Sequence, residues 1–312
     1  MLTASCVGGV TLDILVLEDD EASKLGWQKQ DVRRIELTIG GGGANASSVL
    51  AKLGVHVTIH CALGQDNEAR MILNALHERK IDISAVESGL GHPTGKAVIR
   101  VGDTGEASVQ AARGANLFFS GTSIRTAASD LLYVSSAPAR VYSEVNERLA
   151  DAPNAFKFVT FNPGSRQIAE AHVAFKTLFQ SCDLLLLNTQ EARQYARNTD
   201  AAASEMSVEL LCRALGEKRH GATCITNGED GAWLARNGLI FHQPAAPLPT
   251  HSDQISTIGA GDTFGSTLTY LLAQDENPEF ALDCAARNAA ATVSRLDASS
   301  GAKTIQDLLI IG

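Results

Sequence analysis

The sequence has few aromatic residues, a deficit of basic charge and no long apolar run. Aromatics make up 5% of its 312 positions, so a core must be assembled chiefly from aliphatic side chains. Lysine and arginine total 26 against 35 aspartates and glutamates, a formal net charge of −9. That balance argues against a nucleic-acid partner or an acidic membrane surface. It leaves room for an anionic small substrate, because backbone N–H groups and a metal ion hold anions locally. No segment approaches the ~20 apolar residues of a membrane span. The start, MLTASCVGGVTLDILV, carries no basic segment, and its Gly8-Gly9 break fits a strand and turn better than a signal peptide. The six cysteines (Cys6, Cys61, Cys182, Cys212, Cys224 and Cys284) include no CxxC pair. They read as reduced, buried and inert in a cytoplasmic protein, with no structural zinc site. What is present is ordinary globular composition, 45% hydrophobic and 20% charged, in a chain long enough for one large core.

Strand-like runs alternate with helix-length segments through most of the chain. Residues 44–53 place Ala46, Val49, Leu50 and Leu53 on one helical face, with Gly54 as a stop signal. Val55, Val57, Ile59 and Cys61 alternate as a strand, and 131–135, 156–161, 183–188 and 222–226 are short apolar runs. Such continuous runs suit strands buried on both faces. They predict an α/β fold, a central mostly parallel sheet with helices on both sides. Residues 94–101 and 106–112, joined by Gly102-Asp-Thr-Gly105, form a hairpin pattern, and 33–39 also alternates. No helical pattern adjoins these strands, so they are read as a small β-sheet lid. The expected organisation is a single domain, 1–312, with a discontinuous lid from about 11–39 and 93–112.

Three glycine-containing stretches carry candidate chemistry. Gly41-x-Gly43-x-x-Ala46 fits the GxGxxA form of the dinucleotide fingerprint, with Asp66 about 20 residues further on. It follows a lid strand instead of the first core strand, which argues against an NAD(P)-dependent oxidoreductase. Gly95-Lys96 resembles the end of a P-loop, but Leu90 stands where glycine is needed and Ala97 where Ser or Thr is needed. Ile258-Gly-Ala-Gly-Asp262 precedes a helical pattern of Phe264, Leu268, Leu271 and Leu272. The first N–H groups of that helix have no intrahelical partner and lie at the positive end of its dipole. Small residues let a ligand come close, so the turn is a candidate anion cradle, with Asp262 as cap or base. Asn188-Thr-Gln-Glu191 and Thr226-Asn-Gly228 end two expected strands. Together the three suit phosphoryl transfer, which is mostly positioning and electrostatics. Singly, Asn188 reads equally as a turn residue, Glu191 as a helix-start charge and 226–228 as a plain turn.

These motifs, in this order, resemble the ribokinase-like family, the PfkB-type carbohydrate and nucleoside kinases, over nearly the whole chain. Cys6-Val-Gly-Gly-Val-Thr-Leu-Asp13 resembles the first strand with its substrate-binding aspartate, and Gly40-Gly-Gly-Gly-Ala-Asn45 with Leu53-Gly54 the N-terminal signature. Pro93-Thr-Gly-Lys-Ala resembles the returning lid strand, Gly114-Ala-Asn116 the segment after it, 188–191 the NxxE motif and 259–262 the GAGD motif. The resemblance implies an ATP-dependent kinase of a primary hydroxyl on a sugar or nucleoside. Asp262 would be the general base, and the N–H groups of Gly259, Ala260 and Gly261 the anion hole. Asn188 and Glu191 would orient ATP phosphates and water-bound Mg²⁺, with Thr226 and Gly228 beside the phosphates. Asp13, Gly41, Gly42 and Asn45 would hold substrate hydroxyls. Two departures stand out. Ser256 replaces the aspartate that opens the family's DTxGAGD, which removes the carboxylate of a K⁺ site; Gly42 replaces a lysine common in ribokinases. A catalytically quiet sugar- or nucleotide-binding regulator is the alternative reading, and retention of Asp262 argues against it. Apolar lid residues such as Ala97-Val-Ile offer a surface for a homodimer. His56 and His60, four apart on a strand, read as packing or surface residues.

Overall fold

The apolar runs become the strands of one nine-stranded sheet in the computed structural model, which describes residues 1–18, 31–102, 107–170, 172–199, 205–248, 257–293 and 300–309. In spatial order the strands are β13 (Leu239–Gln243), β12 (Ala232–Arg236), β11 (Ala222–Thr226), β10 (Leu184–Asn188), β9 (Phe156–Phe161), β8 (Ser129–Val134), β1 (Thr3–Val7), β4 (His56–Ala62) and β5 (Val86–Glu87). Neighbours from β5 to β11 are parallel. The far edge is antiparallel, β11 to β12 to β13. Its hairpin turns on Asn237 and Gly238, both at positive φ, as a two-residue turn of the primed type requires.

Alternation along the strands divides the core between the two faces of the sheet. Leu131 and Tyr133 of β8 join one cluster, while Leu132 and Val134 join the other. The first face is covered by α1 (Gly42–Lys52), α2 (Asn67–Glu78), α8 (Ala260–Leu272) and α9 (Pro278–Val293), with α10 (Ile305–Leu309) at its margin. The second is covered by α3 (Ala139–Asp151), α4 (Ser165–Glu170), α5 (Val173–Ser181), α6 (Thr189–Thr199) and α7 (Val208–Glu217). This is the α/β architecture that the runs predict. All six cysteines are free and buried, and burial pushes the thiols up, Cys6, Cys61, Cys182 and Cys212 to about 12. Among the described residues no helix is long and apolar enough to cross a membrane.

A second, four-stranded sheet has the order β3 (Arg34–Gly40), β2 (Thr11–Leu17), β6 (Lys96–Val101), β7 (Ala107–Ala112). Leu15, Leu17, Ala97, Ile99 and Val101 form its own small core. Within the stretch 6–13, β1 ends at Val7 in the main sheet, Gly8–Val10 cross over, and Asp13 belongs to β2 of the lid. One sequence expectation is corrected here. Ala97 and Ile99 are buried and β6 lies between β2 and β7, so this strand has no free flank to offer a second chain. Among the described residues, the large apolar side chains that the lid exposes are Ile35, Leu37 and Val109. The hairpin turn, 103–106, lies outside the described residues.

The roots of the lid are tied to the main sheet by side chains. Val10 N–H donates to Asn116 Oδ1 at 3.0 Å, and Asn116 Nδ2 donates back to the Val10 carbonyl at 2.7 Å. Asp66 caps α2 by accepting the Ala69 N–H at 2.9 Å. It also accepts the Thr94 N–H at 2.8 Å and the Thr94 hydroxyl at 2.6 Å, just before β6. The four bonds made by Val10 and Thr94 fix where the chain enters and leaves the lid.

Candidate active site

The carboxyl ends of β8, β9, β10 and β11 open onto one cleft of about 310 Å³, where an open parallel sheet places its ligands. Its lining includes Gly42, Asn188, Glu191, Thr226, Gly259, Gly261 and Asp262. Seven of the residues singled out from the sequence, spread from Gly42 to Asp262, thus meet at one place. Asn45 joins them through Asp262, and Gly41 is the N-cap of the helix that carries both Gly42 and Asn45. Asp13 stands on β2 with its carboxylate against Gly40, where a Cβ would come within 1.8 Å of it. Gly228 lies in the turn after β11, with nothing within 4 Å of its Cβ position.

The N-termini of α1 and α8 both point into this region. Helix α1 starts two residues earlier than its apolar pattern predicts, because Gly42 and Gly43 form its first turn. The Gly43 N–H donates to the Gly9 carbonyl at 3.1 Å, and a Cβ there would press to 2.8 Å from the Gly8 oxygen. Only glycine fits that approach. Helix α8 begins at Ala260 after Gly259 in the left-handed region (φ 76°), so Asp262 falls in the first turn and makes no capping bond. The Ala260 N–H reaches the Thr257 carbonyl at 3.3 Å, while Gly261 has open space in front of it. An N–H of the first helical turn behind open space, as at Gly261, is part of an anion cradle.

Asp262 accepts a hydrogen bond from Asn45 Nδ2 on its Oδ2 at 2.7 Å. Its Oδ1 faces Gly42, where a Cβ would stand 3.9 Å away. Burial pushes Asp262 up to about 6, and the Asn45 bond opposes that rise. Asp13 is likewise pushed up to about 6 by burial, opposed by the Thr11 hydroxyl, which donates to Oδ1 at 2.5 Å. Glu191 is raised by burial, with the Asn188 N–H opposing it.

Asn188 and Glu191 form a reciprocal cap at the start of α6. The Glu191 N–H donates to Asn188 Oδ1 at 2.8 Å, and the Asn188 N–H donates to Glu191 Oε2 at 3.1 Å. This is a capping box with asparagine in the first place. Its spacing satisfies two helix-end donors while holding the Glu191 carboxylate at the cleft wall. Sequence reasoning did not single out Ser135, Asn162, Pro163 or Gly164, which also line the cleft. The available signal was Asn-Pro-Gly directly after a strand run, a turn composition at a carboxyl strand end. Asn162 Nδ2 donates to the Tyr133 hydroxyl at 2.9 Å. Asp66, the acidic residue of the dinucleotide pattern, has its carboxylate taken up by the α2 cap and Thr94. His56 is exposed and His60 is buried against Ser123, its Nδ1 2.9 Å from Oγ. Ser256 lies outside the described residues.

Comparison with known proteins agrees with this architecture. Residues 3–305 match the model of the pfkB family carbohydrate kinases, and the chain belongs to that family. It is similar to the ribokinase of Haemophilus influenzae, 26% identical over 279 residues that cover 88% of this chain and 87% of that one. A ribokinase structure from Thermotoga maritima aligns with a TM-score of 0.81 at 23% identity, covering 99% of each chain. The nucleoside kinase of Burkholderia thailandensis, solved in complex with inosine, also aligns at 0.81, with 18% identity and coverage of 98% and 96%. Those two likenesses establish a ribokinase fold with its separate small sheet.

Proposed function

We propose that the protein transfers the γ-phosphoryl group of ATP to a primary hydroxyl of a sugar or nucleoside. The observation that carries this is Asp262: a half-buried carboxylate at the mouth of α8, beside a glycine turn with open space at Gly261, in one cleft with Glu191. In this reading Asp262 Oδ1 takes the proton of the acceptor hydroxyl. The hydroxyl oxygen then bonds to the γ-phosphorus as the bond to the departing ADP breaks. Gly259 and Gly261 present their N–H groups to the charge on the transferring group, Ala260 joins them once its N–H leaves the Thr257 carbonyl, and Thr226 and Gly228 border the remaining phosphates. Asp13, Gly41, Gly42 and Asn45 hold the acceptor.

The site also fits a magnesium ion. Among the described residues no cluster of three or more His, Cys, Asp or Glu is built to cage a metal. Mg²⁺ asks for less, a carboxylate or two plus water and phosphate oxygens, and Glu191 with Asn188 supplies that at the cleft wall. Bound there, the ion would neutralise phosphate charge. Ser256 gives a neutral oxygen where an aspartate would anchor K⁺, so the reading includes weak dependence on monovalent cations. A lid-mediated homodimer belongs to it as well, resting on exposed Ile35 and Leu37 (62% and 54%).

The test is ADP release with ATP and Mg²⁺ across a panel of pentoses, hexoses and nucleosides. Turnover of one acceptor class supports the reading and names the class. Tight binding of a sugar or nucleoside without ADP release would identify a regulator instead.

A further inference from the structure

Asn45 carries more than a substrate contact. It sits in the first turns of α1, only 5% exposed, with its own N–H donating to the Gly41 carbonyl at 2.9 Å. Its Nδ2 meets Asp262 Oδ2 at 2.7 Å, which fixes the sense of the amide, since the reverse would set an acceptor against a carboxylate. The other end, Asn45 Oδ1, is buried and has no partner. A buried acceptor left open costs stability unless a donor arrives to fill it. We propose that Asn45 is a positioning residue for the base: Nδ2 holds Asp262 Oδ2 so that Oδ1 alone meets the acceptor hydroxyl, while Asn45 Oδ1 takes a second hydroxyl of the same acceptor. One amide then couples occupancy of the acceptor site to the ionisation of the base. The idea rests on the reading of Asp262 as general base, and it predicts an acceptor with at least two hydroxyl donors.

The surroundings of Asp262 define what a loss of this bond would do. Asn45 from α1 is the donor that stabilises its charge, and burial works against that charge. The Glu191 carboxylate from α6 and the Tyr133 phenol from β8 are the titratable groups close enough to feel it, and both are themselves raised by burial, with the Asp262 charge adding to the rise. With two acidic groups and no cation among these neighbours, Asn45 is the element that keeps the base ionised.

The experiment is a pH titration of the whole protein carrying ¹³C-labelled aspartate carboxyls, with the Asp262 resonance assigned by its loss in Asp262→Asn. Asn45→Leu removes the donor at similar volume. The Asp262 midpoint should rise by about one pH unit, and the acid limb of kcat should move alkaline with it while acceptor KM rises. Asn45→Asp is nearly isosteric and covers the case in which the leucine variant does not fold. It should raise the midpoint further, because two adjacent carboxyls share one proton. Midpoints unchanged from the natural protein in the variant that folds, with only acceptor KM raised, would overturn the proposal. If no acceptor is turned over at all, the kinase reading fails, and the titration still decides whether Asn45 governs Asp262.

Discussion

Asp262 and Asp13 are two carboxylates pushed up to about 6 by burial, yet they have opposite consequences. Asp262 must be ionised to accept a proton, so kcat should fall as pH drops through about 6. Asp262→Asn should keep the fold and ATP affinity and lower kcat by at least ~10²-fold, read by ADP release and ATP titration. For Asp13 the matter is stability. The folded state holds its proton between the ordinary carboxylate range and about 6, where the unfolded chain has lost it, so stability falls as pH rises through that window. Two pH units correspond to roughly 2–3 kcal/mol. Asp13→Asn should therefore raise Tm by a few degrees at pH 8, flatten its pH dependence in a thermal scan and raise acceptor KM. Ser256 bears a third outcome. Titrating K⁺ into cation-free assays should change activity little, and Ser256→Asp should introduce a response; strong activation of the natural protein would mean that other groups complete the cation site. Asp262 stood out in the sequence as cap or base after three small residues, and its role as base came from the family resemblance, because Gly-Ala-Gly before an apolar helix also suits a plain capped turn. Asn45 was legible only as a neighbour of the acceptor, because its partner lies 217 positions away and no local pattern reports that bond.

The elements with strong periodicity were readable, and those defined by partners were not. Residues 131–135, 156–161, 183–188 and 222–226 match β8, β9, β10 and β11 within two residues, since short, mostly apolar runs of five or six residues suit strands of a sheet covered on both sides. The start of α1 ran against pattern, because its first turn is glycine held by tertiary contact with Gly8 and Gly9. The β12–β13 hairpin is too short and too mixed to announce itself, although Asn237-Gly238 was available as its turn. The NxxE pair was open between a helix-start role and a catalytic one, and the capping box shows the helix-start role fully formed. At the lid root, Asp66 serves two elements at once. Asp66→Ala should remove the α2 cap and the Thr94 anchor together, costing about 1–2 kcal/mol in denaturant melts. Acceptor KM should rise more than ATP KM, because β6 rather than the β10–β11 edge loses its anchor. Equal effects on both would detach Asp66 from the lid.

On the whole molecule, the six scattered cysteines are free and buried, and the family match gives the fold without naming the acceptor. Sedimentation of the natural protein should show a dimer, and Leu37→Lys should shift it to monomer without unfolding; a monomer at all working concentrations would end the lid-dimer reading. The lid comes from two separate stretches of chain: β2 and β3 lie between β1 and α1, and β6 and β7 follow β5. The two hairpins meet along the parallel β2–β6 seam. Either hairpin could be replaced by a short turn without breaking the path of the main sheet. Whichever hairpin remained would then carry a raw flank, its inner strand stripped of half its ladder. A lid assembled in this way is difficult to shorten by single deletions, since each half serves as the edge protection of the other.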